Sequence, residues 1–337
     1  MAEPLKIFIL MAGFGTRMRP HTWSRPKALI SAAGDTILGH MLQMVRTVPD
    51  ADNAELVFVV GYLGDLVRRY MQAERPHIKA HFFEQKELLG QSHALAQARE
   101  FLHGPVIVIL GDAVFEADFS HLDTEKADAI AWVKPVEDPR RFGVAALDAE
   151  GWVTDLIEKP SDVTNNLAVV GMYYFKHGED LIAAIDEQMQ KGVVTKKEFY
   201  LTDAIGLMLQ KGLKMRTVEV DEWLDAGVPE TVLETNRRLL DMRRDNSTEA
   251  GKRSGVNIRP PVHVHPSASV ENSTLGPYVS VGRDCVVRNS TITDAILEAG
   301  VTVEDSTLRD SILGERSQVR GVKGSVNVGD DSKVTGA

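Results

Sequence analysis

Apolar and polar positions along residues 1–240 follow two alternating patterns. Segments 6–10, 56–60, 106–110 and 129–133 are short apolar runs rich in Val, Ile or Phe. Such runs predict strands buried on both faces of a mostly parallel sheet. Between them, segments 36–47, 63–73 and 92–101 space their apolar residues as helices do. The βαβ alternation predicts an α/β fold, an open, doubly wound, Rossmann-like sheet. Ligands of such sheets sit beyond the carboxyl ends of strands, which directs attention to the loops after Leu10 and Leu110. Segment 228–250 also reads as helical, with Val232, Leu233, Leu239 and Leu240 along one side.

After residue 250 the pattern changes. Aliphatic residues recur at Val264, Val270, Leu275, Val281, Val287, Ile292, Leu297, Val303, Leu308, Leu313 and Val319, in steps of five or six. Turn-forming residues fill the intervals: Asn-Ser at 272–273 and 289–290, and Gly276, Gly282, Gly300 and Gly314. This is the pattern of a hexapeptide-repeat parallel β-helix, each short strand turning one aliphatic side chain into a narrow core. At three strands per turn these repeats predict three to four coils. The expected domains are 1–244, a linker at 245–260 ahead of Pro260-Pro261, and a β-helix at 261–337.

Composition adds constraints. The 337 residues carry 38 Lys and Arg against 48 Asp and Glu, a net charge of −10, which argues against a nucleic-acid binder or an anionic-membrane binder. No apolar run is long enough to span a bilayer, and the beginning of the chain does not read as a signal peptide. A lone Cys285 permits no intrachain disulfide and fits a reducing compartment, so a cytoplasmic protein is expected. The charge is unevenly spread. Residues 251–337 hold ten acids and ten bases, whereas residues 1–30 carry Lys6, Arg17, Arg19, Arg25 and Lys27 against Glu3. A cationic opening on an acidic domain points to an anionic ligand, although solvated surface charge would look the same.

The first strand runs into Leu10-Met-Ala-Gly-Phe-Gly-Thr-Arg-Met-Arg-Pro-His-Thr-Trp-Ser-Arg-Pro-Lys27. Glycines after a buried strand let backbone N–H groups approach a phosphate. Met18 stands where a dinucleotide fingerprint wants a small residue, and the Gly-Lys-Ser/Thr of a Walker loop is missing. The glycines lead instead into a long basic loop with Arg17 and Lys27 ten residues apart. Two cations over a glycine loop suit a triphosphate that loses pyrophosphate, because charge builds on the leaving group.

The stretch Gly13-x-Gly15-Thr16-Arg17-x-x-Pro20-x-Thr22-x-x-x-Pro26-Lys27 resembles the signature of sugar-1-phosphate nucleotidylyltransferases. Along the whole chain the likeness is to the long-form glucose-1-phosphate thymidylyltransferase-like and uridylyltransferase-like members that end in a left-handed β-helix. The resemblance implies that Ala12, Gly13, Gly15 and Thr16 contact the nucleotide and that Arg17, Lys27, Asp112 and Lys159 are catalytic.

Other segments gain meaning from the same likeness. Gly111-Asp112 alone reads most simply as a helix N-cap; the resemblance makes Asp112 a metal ligand. Trp223-Leu-Asp225-Ala-Gly-Val-Pro resembles the segment whose acid, here Asp225, is the second ligand, with Val228 where relatives often have Thr. Gln85 and Gly90 match base-reading positions in what is otherwise a polar βα loop. Gly143, Glu158, Lys159 and Gly171 match contacts to the sugar phosphate; taken singly they read as a hairpin turn, a surface ion pair and a strand glycine.

The implied reaction joins an NTP, UTP or dTTP foremost, to a hexose 1-phosphate, glucose 1-phosphate foremost, with Mg²⁺ on Asp112 and Asp225. GTP with mannose 1-phosphate, UTP with N-acetylglucosamine 1-phosphate, and a silent regulatory homologue are the alternatives. The β-helix is expected to be an oligomerisation surface giving a homo-oligomer. His263 and His265 open the first repeat, where three to four coils offer little cleft for acetyl transfer. Cys285 reads as a buried small residue and Lys196-Lys197 as a solvated turn.

Overall fold

The structure, a computed structural model, describes residues 3–336. The chain forms two compact units, each discontinuous in sequence. One comprises the chain up to Gly13, Leu42–Gly111 and Phe115–Trp223; the other comprises Phe14–Met41, Asp112–Val114 and everything from Leu224 onward.

The first unit is built on a nine-stranded sheet. Lys6–Met11 lies parallel between Glu55–Val60 and Val106–Leu110, and Glu55–Val60 pairs in parallel with Ala80–Glu84. The second half is mixed. Leu167–Phe175 runs antiparallel to both Val106–Leu110 and Ala129–Pro135, and Met215–Glu219 is parallel to Ala129–Pro135. Gly143–Leu147 and Val153–Glu158 form an antiparallel hairpin. Its turn is held by the Asp148 carboxylate, which accepts from the Glu150 and Trp152 N–H groups at 3.1 and 2.8 Å. An unbroken apolar run reports burial on both faces but not strand direction, so this antiparallel half was hidden in the pattern. Phe8, Val57, Val108, Ala131 and Tyr173 lie in one core cluster with Leu181, Ile185 and Ile205 of the covering helices.

Helices form at Ile37–Val45, Gly64–Glu74 and Gln91–Ala96. The last is shorter than its spacing suggests, because Ala98 leaves helical geometry before a 3₁₀ turn at Arg99–Phe101. Segment 228–250 is likewise divided. A helix at Pro229–Leu239 gives way to a turn at Leu240–Arg244, where Arg243 takes φ 65°, and a short helix follows at Ser247–Ala250.

In the second unit, fifteen short strands stack into three five-stranded parallel sheets, the architecture of a left-handed β-helix. The aliphatic positions counted in sequence fall into three ladders: Val264, Val281, Leu297 and Leu313; Val270, Val287, Val303 and Val319; Leu275, Ile292 and Leu308. All are buried. The coil count of three to four was too low, since each sheet has five strands. The end rungs escaped the count because Ile258, Val328 and Val334 are only partly buried and Gly324 replaces an aliphatic residue.

A second apolar cluster of this unit faces away from the coil interior. Ile296 and Ile312 project outward from their strands and pack with Met18, Ile30 and Ile37 of the loop and with Val232, Leu233 and Leu239 of the helix. The basic loop is therefore seated on the outside of the β-helix.

Candidate active site

The signature segment leaves the first unit at Gly13 and continues in the second from Phe14. At the end of Lys6–Met11, a Cβ on Gly13 would meet nothing within 4 Å, so the backbone there borders open space. Gly15 turns the chain with φ 59° and ψ 36°, a conformation that strains any residue with a Cβ. Its carbonyl accepts from the Met18 N–H at 2.9 Å and from the Thr22 hydroxyl at 2.8 Å. Thr22 of the signature thus closes the loop, and 3₁₀ turns follow at Thr16–Met18, His21–Trp23 and Lys27–Leu29.

Of the expected charged groups, the second unit brings Arg17, Lys27, Asp112 and Asp225 into one patch. Lys27 Nζ lies 3.1 Å from Asp112 Oδ2; the lysine is largely buried, whereas the Asp112 side chain is 50% exposed. The Asp112 carbonyl accepts from the Ala226 N–H at 3.1 Å, which places Asp225 one residue from that bond. A Cβ on Gly227 would stand 2.9 and 3.0 Å from the Asp225 carboxylate oxygens and 3.4 Å from Arg17 Nη2. Asp225 and the Arg17 guanidinium therefore converge over Gly227, which tolerates them because it has no side chain. Downstream, the Thr235 hydroxyl donates to the Asp225 carbonyl at 2.9 Å. Val228 has no side-chain oxygen to cap the helix that begins at Pro229; instead the Thr231 hydroxyl accepts from its N–H at 3.2 Å.

Two half-exposed carboxylates with no soft ligand beside them suit a hard divalent cation. Among the described residues no group of three or more His, Cys, Asp or Glu could enclose a metal. Asp112 and Asp225 would fit such an ion if its remaining ligands came from outside the chain.

The segments expected to read the base and to hold the sugar belong to the first unit. Gln85 is buried, and its side-chain amide donates to the Gly90 carbonyl at 3.0 Å. His93, which sequence reasoning missed, lies 3.0 Å from the same amide nitrogen. Gly90 has φ 112°, and a Cβ there would strike the Phe199 carbonyl at 2.5 Å. Gly143 lies opposite Glu158 in the hairpin, where a Cβ would come within 3.3 Å of Glu158 Oε2. Gly171 has φ 86° at the irregularity between Val169 and Tyr173, and a Cβ there would press on Leu110.

Glu158 Oε2 accepts from the Thr202 hydroxyl at 3.2 Å, and Glu158 Oε1 is 3.4 Å from Lys159 Nζ. Lys159 adopts φ 49°, donates to the Tyr200 hydroxyl, and sits 4.2 Å from the centre of that ring. Burial pushes the Glu158 carboxyl above its ordinary range, overriding Lys159 and Thr202. Burial works against the Lys159 charge, but Tyr200 and Glu158 outweigh it and hold the ammonium above its usual range.

Tyr200 and Thr202 were also missed in sequence, where the cue was polar and aromatic residues at a helix start. The same strap joins the two segments. The Phe199 carbonyl accepts from the Ser92 N–H at 3.0 Å, and the Leu201 N–H donates to Gln91 Oε1 at 3.1 Å. Lys196 and Lys197 form the preceding turn with φ 48° and 70°. Cys285 is buried, its thiol 3.0 Å from the Glu298 carbonyl and pushed up to about 12 by burial. The His263 ring lies where a Cβ on Gly34 would approach within 2.3 Å, and His265 Nδ1 is 2.9 Å from the Ser267 hydroxyl.

The family model for nucleotidyl transferases matches residues 6–242. A glucose-1-phosphate thymidylyltransferase of Streptomyces griseus is 29% identical over 340 residues, covering 94% of this chain and 93% of that protein. A bifunctional protein GlmU of Methanocaldococcus jannaschii is 35% identical over 238 residues, 69% of this chain and 54% of that protein. A UDP-glucose pyrophosphorylase crystallised with UDP-glucose shares the fold with a TM-score of 0.60 at 19% identity, covering 72% of this chain and all of that one. No helix among the described residues is long and apolar enough to cross a membrane.

Proposed function

The chain belongs to the nucleotidyl transferase family, and from that premise we propose that it transfers a nucleotidyl group from UTP or dTTP to glucose 1-phosphate. The observation that carries this reading is the patch in which Lys27 pairs with Asp112 while Arg17 and Asp225 meet over Gly227. It supplies two cations and two hard oxygen ligands beside a glycine turn, as a triphosphate requires.

The sugar phosphate oxygen attacks the α-phosphorus. A P–O bond forms to the sugar phosphate, the bond to the β-phosphate breaks, and pyrophosphate leaves with the electron pair. The attacking oxygen is already anionic, so no covalent nucleophile or general base is needed. Catalysis consists of positioning and charge neutralisation. Arg17 and Lys27 neutralise the α-phosphate and the departing pyrophosphate. Ala12, Gly13, Gly15 and Thr16 present backbone to the phosphates, and Gln85 and Gly90 face the base. Glu158 accepts sugar hydroxyls, Lys159 holds the sugar phosphate, and Gly143 and Gly171 keep the backbone close. A Mg²⁺ ion held by Asp112 and Asp225 would add positive charge at the reacting phosphates. Residues 1–244 carry this chemistry in the cytoplasm, within a homo-oligomer assembled through the β-helix at 261–337.

A pyrophosphate-release assay tests the proposal with each of four NTPs against glucose, mannose and N-acetylglucosamine 1-phosphates. Turnover is expected to be highest for UTP or dTTP with glucose 1-phosphate. A preference for GTP with mannose 1-phosphate, or for UTP with N-acetylglucosamine 1-phosphate, would replace the substrate assignment. No release with any pair would overturn the reaction.

A further inference from the structure

The arginine between the two proposed catalytic cations is oriented differently from both. Arg25 is buried, and its guanidinium reaches three carboxylates of successive β-helix rungs: Glu298 at 3.2 Å, Glu315 at 3.1 Å and Asp330 at 3.0 Å. The register Val281–Leu297–Leu313–Val328 shows that these acids stack at one corner of the coil. It also places Glu298 in line with His265, Gly282, Gly314 and Gly329 of the other rungs. A turn position that three rungs give to glycine is here given to a carboxylate.

The loop meets that corner along much of its length. Glu298 accepts from the Ser31 N–H and hydroxyl at 2.8 and 2.7 Å. Asp330 accepts from the Ser24 hydroxyl at 2.7 Å, and His21 is bonded to Asn327. Pro20 packs on Gly329, where a Cβ would be 3.2 Å from the Pro20 Cβ. Buried charges persist only when paired, and three acids around one guanidinium leave none of them free to let go.

We propose that Arg25 is a positioning residue, by which the β-helix clamps the signature loop so that Arg17 and Lys27 are held for the nucleotide. The catalytic consequence rests on the proposed reaction; the clamp itself does not. Arg25 touches no reacting atom, and the β-helix becomes a working part of nucleotide binding besides any role in assembly.

Hydrogen exchange and steady-state kinetics on the full chain test this together. In Arg25→Ala, amides of residues 14–31 should exchange about tenfold faster or more, with those of Lys6–Met11 unchanged. The same variant should lose about 10²-fold in kcat/KM for the NTP, with KM for the NTP rising well beyond KM for the sugar phosphate. Arg25→Lys should recover part of both, and Glu298→Gln and Asp330→Asn should each show a smaller version. Arg288→Ala, which removes an exposed β-helix ion pair that does not touch the loop, should change neither readout. Unaltered exchange across residues 14–31 in a folded Arg25→Ala would overturn the clamp. A loss equal for both substrates, not relieved by lysine, would reduce Arg25 to a structural role. If the wild type releases no pyrophosphate while loop protection still depends on Arg25, the clamp stands and the reaction falls.

Discussion

The two halves of the proposed site are held in opposite ways. The sugar corner is self-contained: Glu158 and Lys159 find Thr202 and Tyr200 within the same sheet-based unit, some forty residues along the chain. The cationic loop closes on itself through Thr22 and Gly15, but the partners of Arg25 and Lys27 lie far away along the chain. Its Arg25 and His21 bond to Asp330 and Asn327, about three hundred residues away, and Lys27 bonds to Asp112. At the sugar corner a helix start in the same unit orients the two side chains at the strand end. The loop of short 3₁₀ turns draws its support from the β-helix.

This difference predicts where damage should be largest. Arg17→Ala and Asp112→Asn each remove a charge that the proposed reaction places on the reacting phosphates. Each should lower kcat by about 10² to 10³-fold, with an unchanged circular dichroism spectrum. Gly227→Ala comes next, because the new Cβ would displace the Asp225 carboxylate from its place beside Arg17. A loss of about 10²-fold in kcat is expected from that misplacement, and retention of wild-type kcat would separate Asp225 from the chemistry.

Damage to the sugar corner should be milder and should read out on the other substrate. Glu158→Gln keeps the Thr202 hydrogen bond but removes a buried charge. KM for the sugar phosphate should rise about tenfold, as expected for one lost charged hydrogen bond, with KM for the NTP nearly constant. The same change should raise the melting temperature, since burial disfavours the ionised Glu158 that it replaces.

The smallest effect is on pH dependence. Burial lowers the His21 and His40 imidazoles of the second unit. Their neutral forms support folding above the unfolded value of about 6.5, and that support is lost as pH falls through the depressed folded values. Glu158 has the opposite sense: its raised value favours the folded state below the unfolded value of about 4.3 and loses that support as pH rises through the folded one. Acidification from about pH 8 to about pH 5.5 should therefore lower amide protection, measured against the intrinsic exchange rate at each pH, more in the second unit than in the first. Greater loss of protection in the first unit would contradict this assignment.

Much of this was legible in the chain. Apolar runs placed the strands, five-to-six-residue steps placed the β-helix ladders, and the glycine-arginine stretch placed the loop. What stayed hidden has physical causes. Strand direction leaves no trace in an apolar run, so the antiparallel hairpin carrying Gly143 and Glu158 was read only as a turn. Tyr200 and Thr202 become site residues through a strap that folds back over the Gln85–Gly90 segment, a contact no local spacing encodes. The Arg25 clamp joins residues at opposite ends of the chain. Its one visible trace was Glu298 standing in a turn position that Gly282, Gly314 and Gly329 fill in other rungs, which becomes evident once the rungs are in register.

The central claim, that the Lys27–Asp112 patch serves sugar-1-phosphate nucleotidyl transfer, is tested most directly by phosphorus NMR of the wild-type protein. The sample would contain UTP or dTTP, glucose 1-phosphate and Mg²⁺. The account predicts that NDP-sugar diphosphate signals and pyrophosphate grow together in equal amounts as both substrates fall. Release of inorganic phosphate alone, or unchanged substrates in every NTP and hexose phosphate pairing, would contradict it.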